Sequence, residues 1–353
     1  MKMIDDIAKR TGTWLSGAGP MNDIVISSRI RLARNLAGFP FLTKSDTGQR
    51  NEIYRLLYDR VMHADLGCRV LFVDIEEAPE LDRQVLVERH LISRQHAEGE
   101  GSRGVAVSDK ETLALMVNEE DHLRIQVLGS GFRLEQLWEQ IDKIDDILQQ
   151  QLDFAFHEQY GFLTACPTNV GTGIRVSVML HLPALKLAGE LEKVSRAAKN
   201  MRLAVRGLHG EGTEATGDFY QISNQTTLGK SEKDIIAEFC SVVIPKIVDY
   251  ERMARQALLK ERPTALDDKI WRAYGTLENA RTLSTEETLY LLSHLRMGIH
   301  LGRLETIPLQ TINDLFIKAQ PAHLQKIRGM RLDGEERSVF RADYIRQRLA
   351  ESN

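Results

Sequence analysis

Short apolar runs with interleaved polar positions predict β-strands in the first two thirds of the chain. The clearest runs are RVLFVDI (69–75), TLALMV (112–117), LRIQVL (123–128), IRVSVMLHL (174–182) and RLAVRGL (202–208). The second and third runs flank residues 118–122, and a five-residue connection suits a hairpin. Because hairpins join antiparallel neighbours, this pattern predicts an antiparallel sheet.

The pattern of apolar residues changes near residue 262, and apolar residues at helical spacing predict helices both before and after this point. Before it, the pattern from Leu134 to Leu152 predicts one long amphipathic helix that covers the sheet. After it, the strand-like runs stop and helical spacing continues, with Ser284 and Glu287 in the form of a capping box. The sequence therefore predicts an α+β fold, an antiparallel β-sheet flanked by helices, followed by an all-helical C-terminal domain.

The length and composition of the chain limit the classes of protein it can be. Its 353 residues suit two domains, which we place at 1–259, with a core at about 24–250, and at 260–353. Lys and Arg total 46 against 50 Asp and Glu, a net charge of −4, which argues against a general nucleic-acid binder. The three cysteines are far apart, and neither an apolar targeting segment nor a membrane span is evident. We therefore expect a soluble cytoplasmic protein with no membrane partner and no direct nucleic-acid partner.

Five arginines stand in or beside strand-like or extended segments: Arg29, Arg31, Arg124, Arg175 and Arg206. Arg29 and Arg31 are two residues apart, so an extended segment points both to the same side. Any one of the five alone is more simply explained as a solvated or salt-bridged side chain. Together they are costly to bury without an anion, and Arg175 and Arg206 adjoin glycine-rich loops that permit a ligand to approach the backbone. We interpret the five as an anion-binding set.

A phosphate-binding loop of the P-loop type is excluded. The segment Gly229-Lys230-Ser231 has Asn224 where that motif requires its first glycine, and no GxGxxG motif follows a strand-like run. If a triphosphate binds to this protein, arginine side chains must therefore hold it.

Carboxylates cluster in the turn of residues 118–122 and in the loop RGLHGEGTE (206–214). Such a turn is most simply a polar turn that faces water, but mutually repelling carboxylates also suit a cationic partner or a metal ion. Cys166, in the loop CPTNVGTG (166–173), is either a packed thiol or, beside arginines, a thiolate with a lowered pKa. The residues alone leave these alternatives open.

Four segments resemble, in the same order, motifs of the phosphagen (guanidino) kinase family: SSRIR, NEEDHLR, CPTNVGTGIR and RGLHGEGTE. They extend over roughly residues 24–250. The resemblance implies a catalytic domain similar to that of glutamine synthetase, in which an antiparallel sheet flanked by helices holds ATP through arginines. It also implies that Mg²⁺ is held through the ATP phosphates and not by protein ligands.

The resemblance further implies roles for single residues. The five arginines contact the ATP phosphates, His90 lies near the nucleotide, and Glu120 and Glu211 bind the guanidinium substrate, which Cys166 contacts as a thiolate. Either glutamate can accept the proton that the attacking nitrogen loses. The implied ATP-binding residues are Ser27, Ser28, Arg29, Ile30, Arg31, His90, Arg124, Arg175, Val176, Ser177, Val178, Met179, Arg206, Gly207, Leu208, His209, Gly210 and Glu211.

The chain differs in two ways from the animal members of this family, and these differences indicate which branch of the family it most resembles. Met179 stands where their pattern has a histidine near the adenine, and we expect only altered nucleotide packing from it. SSRIR begins at Ser27, so we expect no N-terminal helical domain of the kind that encloses creatine or arginine in the small-guanidine kinases. The chain is therefore most similar to the bacterial protein arginine kinases (McsB type). This implies phosphorylation of arginine side chains in proteins, for which an open site is suited.

The same resemblance implies partners and regulation. The partners are arginine-bearing client proteins, among them a stress-gene repressor, a Clp-type ATPase and protease that degrades marked clients, an activating protein, and a second copy of the chain in a homodimer. An allosteric phosphoarginine site is implied at Arg337, Ser338, Arg341 and Ala342. Because Ser338 replaces an aspartate that would pair with a guanidinium, we expect weakened allosteric control, and a simple surface helix is the alternative interpretation of this stretch.

Two other functions are weighed against this one. One is a kinase for free arginine or another small guanidine, and the other is a non-catalytic phosphoarginine-binding adaptor. Intact Glu120, Cys166 and Glu211, together with all five arginines, favour an active protein arginine kinase.

Overall fold

The computed structural model describes residues 2–207 and 216–352, and within these ranges ten strands occur, eight of them in one antiparallel sheet. The strands are β1 (Val25–Arg34), β2 (Val70–Asp74), β3 (Gly104–Ser108), β4 (Leu113–Val117), β5 (Leu123–Ser130), β6 (Phe156–His157), β7 (Gly161–Phe162), β8 (Ile174–His181), β9 (Leu203–Gly207) and β10 (Phe219–Asn224). The order in the sheet is β2-β3-β4-β5-β1-β8-β10-β9, and β6 and β7 form a separate pair. The central strand β1 therefore lies between β5 and β8.

Helices flank the sheet and follow it. They are α1 (Lys2–Lys9), α2 (Thr47–His63), α3 (Glu80–Glu88), α4 (Arg94–Glu98), α5 (Leu134–Gln149), α6 (Pro183–Leu187), α7 (Leu191–Asn200), α8 (Glu232–Glu238), α9 (Ile244–Glu261), α10 (Pro263–Asn279), α11 (Thr285–His300), α12 (Leu309–Lys318), α13 (Pro321–Arg328) and α14 (Gly334–Ala350). No helix among the described residues is both long and apolar enough to cross a membrane.

The hairpin predicted across residues 118–122 is confirmed. Val117, the last residue of β4, pairs with Leu123, the first residue of β5, and the two strands are antiparallel. The five predicted runs all contain strands of the sheet, with ends that differ by up to two residues from the predicted ones. Strands β3 and β10 were not predicted, because β3 follows the glycine-rich segment 99–104 and β10 carries several polar residues.

Alternation along the central strands β1, β5 and β8 gives the middle of the sheet one apolar face and one polar face. Ile30 and Leu32 of β1, Ile125 of β5 and Val176 of β8 are 0% exposed and belong to the same core. Apolar side chains from α2, α5, α7, α8 and α9 complete this core. Since the helices cover one face, the residues at the alternate positions are directed to the other.

The predicted amphipathic helix is confirmed as α5. Its apolar stripe faces the sheet, and the predicted residue Leu152 is buried just beyond the helix end. A buried ion pair fastens this helix to the central strand, because Arg34 of β1 donates to Asp145 of α5 with an Nη2–Oδ2 distance of 2.6 Å. The two groups are 2% and 7% exposed, so this pair is a structural contact.

The C-terminal helices α10 to α14 form a second core, and within the described part of the chain no strand follows β10. Ser284 caps α11 by accepting a hydrogen bond from the backbone amide of Glu287 at 3.0 Å. The apolar residues Leu289, Leu292 and Leu295 of this helix are at most 1% exposed. They pack inside their own domain and are therefore not a surface for dimerisation.

The helical domain covers one end of the polar face of the sheet. Leu128, Met179 and Phe219 of the sheet lie in the same core as α11. Buried His181 of β8 lies 2.9 Å from the hydroxyl of Ser293 on that helix. At the other end of the same face, Val107 of β3 and Met116 of β4 lie in a third core with α1, α3 and α4. The middle of this face, between the two covered ends, is therefore left for the candidate site.

Candidate active site

All five candidate arginines lie on the polar face of the sheet. Arg31 pairs directly with Arg175 across β1 and β8, and Arg29 lies two residues from Arg31 on the same strand. Arg124 pairs with Ala33, two residues further along β1. Arg206 pairs with Gln221, which pairs with Met179 on the face of Arg175. Because opposite residues in an antiparallel pair share a face, this register brings together residues from four strands.

Electrostatic repulsion within this group is severe. Burial, followed by the charges of Arg175, Arg124 and Arg206, lowers the pKa of Arg29 to about 10. Burial and the neighbouring arginines also lower the pKa of Arg31 well below its usual value. Within residues 2–207 and 216–352, no carboxylate lies at ion-pair distance from Arg29 or Arg31; Arg29 is held by neutral groups, Ser177 at 3.2 Å and Gln221 at 2.7 Å. Such a group of mutually repelling cations is suited to a polyanion.

Arg124 differs from the other arginines because the acidic turn (residues 118–122) surrounds it. Its Nη1 lies 2.6 Å from Oε2 of Glu119, its Nη2 lies 2.8 Å from Oε2 of Glu120, and Asp121 is 3.5 Å away. Burial alone lowers the pKa of Arg124, but these three carboxylates raise it overall. Glu119 and Asp121 are at most 1% exposed, so the interpretation as a solvated turn is wrong for them. Glu120, with its side chain 35% exposed, is the carboxylate that remains open to a substrate.

Asp121 connects the acidic turn to the loop that contains Cys166. Its Oδ1 accepts from the side-chain amide of Asn35 at 2.7 Å and from the backbone amide of Ala165 at 2.7 Å. Cys166 is partly exposed, and its Sγ lies 3.0 Å from the hydroxyl of Thr168. The loop of Cys166 is therefore held at the acidic turn by a buried carboxylate.

A recess on the polar face, the tryptophan recess, adjoins the arginines. Its lining residues are Trp14, Ser27, Arg29, His90, Leu128, Ser177, Met179 and Gln221. Five of these were predicted ATP contacts, whereas Trp14, Leu128 and Gln221 were not singled out in the sequence. The ring of Trp14 meets that of His90 edge to face, with centroids 5.4 Å apart. Sequence alternation along β5 and β10 contained the signal for Leu128 and Gln221, but nothing local marks Trp14.

The side chains of four predicted ATP contacts point away from the arginine face. The side chains of Ile30, Val176 and Val178 are 0% exposed and lie in the core on the apolar face. Ser28 is also 0% exposed, and its hydroxyl donates to the carbonyl of Gly131 at 2.8 Å. The motifs SSRIR and RVSVM are contiguous in sequence, but every second side chain points away from the site.

Part of the second glycine-rich loop cannot be compared with its prediction. Arg206 and Gly207 end β9. The predicted contacts that follow them lie outside the described residues: Leu208, His209, Gly210 and Glu211. Among the residues that are described, no cluster of three or more His, Cys, Asp or Glu side chains could hold a metal ion.

Of the four predicted phosphoarginine residues, Arg337 lies at a cleft between α3, α4 and the helical domain. Arg337 borders this cleft together with Glu88, Arg94 and Glu286. Arg341 is 2% exposed and donates to the carbonyls of Ala319 and Leu283 and to the hydroxyl of Thr285, at 2.8 to 2.9 Å.

Arg341 therefore holds three segments of the helical domain together, and the buried Ala342 belongs to the core of that domain. Ser338 lies on the exposed face of α14, where its hydroxyl donates to the carbonyl of Gly334 at 3.0 Å. In this arrangement, Arg337 is the member of the motif that faces the cleft.

Family models and relatives identify the chain. A model of the ATP:guanido phosphotransferase C-terminal catalytic domain matches residues 56–254, and one of the protein-arginine kinase McsB C-terminal domain matches residues 263–353. The protein-arginine kinase of Halothermothrix orenii is 44% identical over 349 residues, which cover 99% of each chain. The chain belongs to the protein-arginine kinase family. It is a phosphotransferase of the ATP:guanido type, as the sequence resemblance predicted.

Solved structures confirm the predicted fold. The crystal structure of lombricine kinase has a TM-score of 0.58 and 25% identity, with 70% of each chain covered. The duplicated taurocyamine kinase from Schistosoma mansoni, solved with bound components of a transition state analog, has a TM-score of 0.60 and 26% identity. It covers 70% of this chain and 37% of its own. The antiparallel sheet with flanking helices is thus the guanidino kinase catalytic fold.

Proposed function

We propose that this member of the family transfers the γ-phosphoryl group of ATP to arginine side chains in proteins. The observation that supports this most directly is the set of five arginines on one sheet face, with the partly exposed Glu120 at its edge. The arginines provide a site for a triphosphate, and the carboxylate provides a partner for a guanidinium. The two reactants of an arginine kinase are thereby given adjacent sites.

The side chains of the chain itself supply most of what this reaction requires. Phosphoryl transfer depends mainly on alignment and on stabilisation of negative charge on the phosphoryl oxygens, which the arginines provide. One oxygen of Glu120 is bonded to Arg124, so the carboxylate is oriented to receive a planar guanidinium and to accept its proton. Mg²⁺, held through the ATP phosphates, would supply further neutralisation of charge. The loop that adjoins the acidic turn carries Cys166, which we propose as a further contact for the same guanidinium.

Phosphorylation of a protein arginine is expected in a direct assay. The purified chain would be incubated with MgATP and either an unfolded arginine-containing protein or free arginine. Phosphate would then be mapped by mass spectrometry without acid, since the N–P bond is acid-labile. We expect phosphate on protein arginines, and none with the Glu120→Gln variant. Phosphate on free arginine alone would instead identify a small-guanidine kinase, and none on either acceptor would favour a phosphoarginine-binding adaptor or a need for an activating protein.

The cellular role proposed here follows from the family resemblance. Phosphoarginine would mark client proteins, among them a stress-gene repressor, for degradation by a Clp-type ATPase and protease in the cytoplasm. An activating protein and a second copy of the chain are the further proposed partners. Because the apolar stripe of α11 is internal, the proposed homodimer must use another surface.

Weak regulation by phosphoarginine is expected, because Ser338 cannot form a charged pair with the ligand's guanidinium. Arg337 at the cleft supplies a phosphate partner, and Ser338 lies one residue further on the exposed helix face. Added phosphoarginine should change the wild-type kinase rate less than about twofold, and Ser338→Asp should increase that response. Ser338→Ala is the matched control and should respond like the wild type. A strong response of the wild type would contradict this expectation.

A further inference from the structure

A buried ion pair supports one ring of the tryptophan recess. Arg89 donates from Nε and Nη2 to the two oxygens of Glu111, at 2.6 and 2.7 Å, and these side chains are 0% and 3% exposed. His90 follows Arg89 directly in the left-handed backbone region, with φ at 57°. The carbonyl of His90 accepts from Nε2 of Gln126 at 2.7 Å. The ion pair therefore helps to hold the peptide that carries the His90 ring.

The other ring of the recess, Trp14, and the carboxylate of Glu111 both pack around Gly12. A methyl group on Gly12 would be 2.7 Å from Nε1 of Trp14 and 3.3 Å from Oε2 of Glu111. The glycine therefore lets the indole and the carboxylate approach one another. Since Trp14 also meets His90 edge to face, both rings are placed by groups adjoining one Arg–Glu contact.

The helical domain supplies a third partner to this ion pair. Nη1 of Arg89 lies 3.2 Å from Nε2 of His323 on α13, a residue 234 positions away in the chain. Arginine only donates, so Nε2 accepts and the imidazole hydrogen is on Nδ1. This Nδ1 lies 2.6 Å from Glu88, whose carboxylate also accepts from the backbone amides of Ala322 and His323. A negative group at these amides is favourable, because they form the N-terminus of α13.

We propose that His323 is a positioning residue for nucleotide binding. Through Arg89, it holds the His90 and Trp14 rings in the geometry that receives the nucleotide base. The helical domain then supports, from behind, a site whose lining residues all belong to the first domain. The 0% exposure of both Arg89 and His323 supports this role, because a buried hydrogen-bonded group has few alternative positions. The inference depends on the nucleotide site of the proposed function and not on the identity of the acceptor.

His323→Phe tests this role, since it keeps a flat ring but removes both hydrogen bonds. We expect the Kd of MgADP, measured by titration calorimetry on the full chain, to rise about tenfold, as for the loss of a hydrogen bond to a charged group. The KM for ATP should rise in parallel, while kcat and the KM for the protein acceptor stay nearly unchanged. His323→Gln, whose amide oxygen can still accept from Arg89, should restore most of the affinity.

Lys326→Met is the matched control, because it should weaken the packing of the helical domain against the first domain without changing the contact with Arg89. Lys326 lies on the same helix and makes its own ion pairs with Asp82 on α3 and Asp5 on α1, but it has no contact with Arg89. We expect this variant to lower the melting temperature without a change in the Kd of MgADP. An equal rise in Kd for Lys326→Met and His323→Phe would overturn the proposal in favour of general domain docking.

Glu88→Gln provides a second variant should His323→Phe fail to fold. It retains an oxygen that can accept from the backbone amides of α13 but weakens the contact with Nδ1 of His323, so we expect a rise in Kd of about threefold. An unchanged Kd in the folded variants overturns the proposal. Failure of the wild type to bind MgADP would instead overturn the nucleotide site itself, so the two failures are distinguishable.

Discussion

Replacement of Glu120 by glutamine is expected to lower kcat about a thousandfold, the range in which removal of a general base falls. The KM for ATP should change little. The amide oxygen of the introduced glutamine could still accept the hydrogen bond that Arg124 makes with the carboxylate at 2.8 Å, so the arginine stays in place. What is lost is the negative charge that binds the substrate guanidinium and the base that accepts its proton. Steady-state kinetics with a protein acceptor at several ATP concentrations would measure both constants.

Glu139→Gln is the matched control for this experiment. Glu139 is an exposed glutamate on α5, the helix that covers the opposite face of the sheet, so its replacement should leave both constants unchanged. A loss of less than about tenfold in kcat for the folded Glu120 variant would contradict its role in the proton transfer. In that case Glu211, the other glutamate named by the resemblance, would be the residue to test.

Replacement of Arg31 by methionine is expected to have opposite effects on activity and stability. Activity, as kcat/KM for ATP, should fall about a thousandfold, because a cation aimed at the transferring phosphoryl group is lost. The melting temperature should rise by about 2 °C or more. The reason is that burial and the neighbouring arginines lower the pKa of Arg31, so its charge costs free energy in the folded protein. Differential scanning calorimetry without nucleotide would measure this change.

Arg34→Met separates this effect from a general effect of removing an arginine from β1. Arg34 lies three residues along the same strand but on the apolar face, where it pairs with Asp145 at 2.6 Å. Its loss leaves a buried carboxylate unpaired, which costs about 3 kcal/mol or more and should lower the melting temperature. Addition of MgATP should stabilise the wild type and not the Arg31 variant. A lower melting temperature for Arg31→Met would show that Arg31 stabilises the fold instead of straining it.

Much of the fold follows from local pattern. Five of the strands, the hairpin at residues 118–122 and the helix α5 were predicted from spacing alone, because hydrophobic alternation is a local property of the chain. The arginine face was also partly predictable, since Arg29 and Arg31 at i and i+2 must share a side of an extended strand. The same periodicity explains why the side chains of Ile30 and Val176, inside matched motifs, face the core and not the arginines.

Residue types and motifs along the chain therefore identified the arginines, the acidic turn, the cysteine loop and the family to which they belong. Folding sets which strands are neighbours, and so that Arg31 opposes Arg175. It also brings Trp14 to the recess and joins Arg89 to His323, 234 residues away. Strand order and long-range contacts depend on the free energy of the whole fold, because loop closure and burial involve segments that are far apart in the chain. Neither of two such segments carries a periodic pattern that predicts its contact with the other.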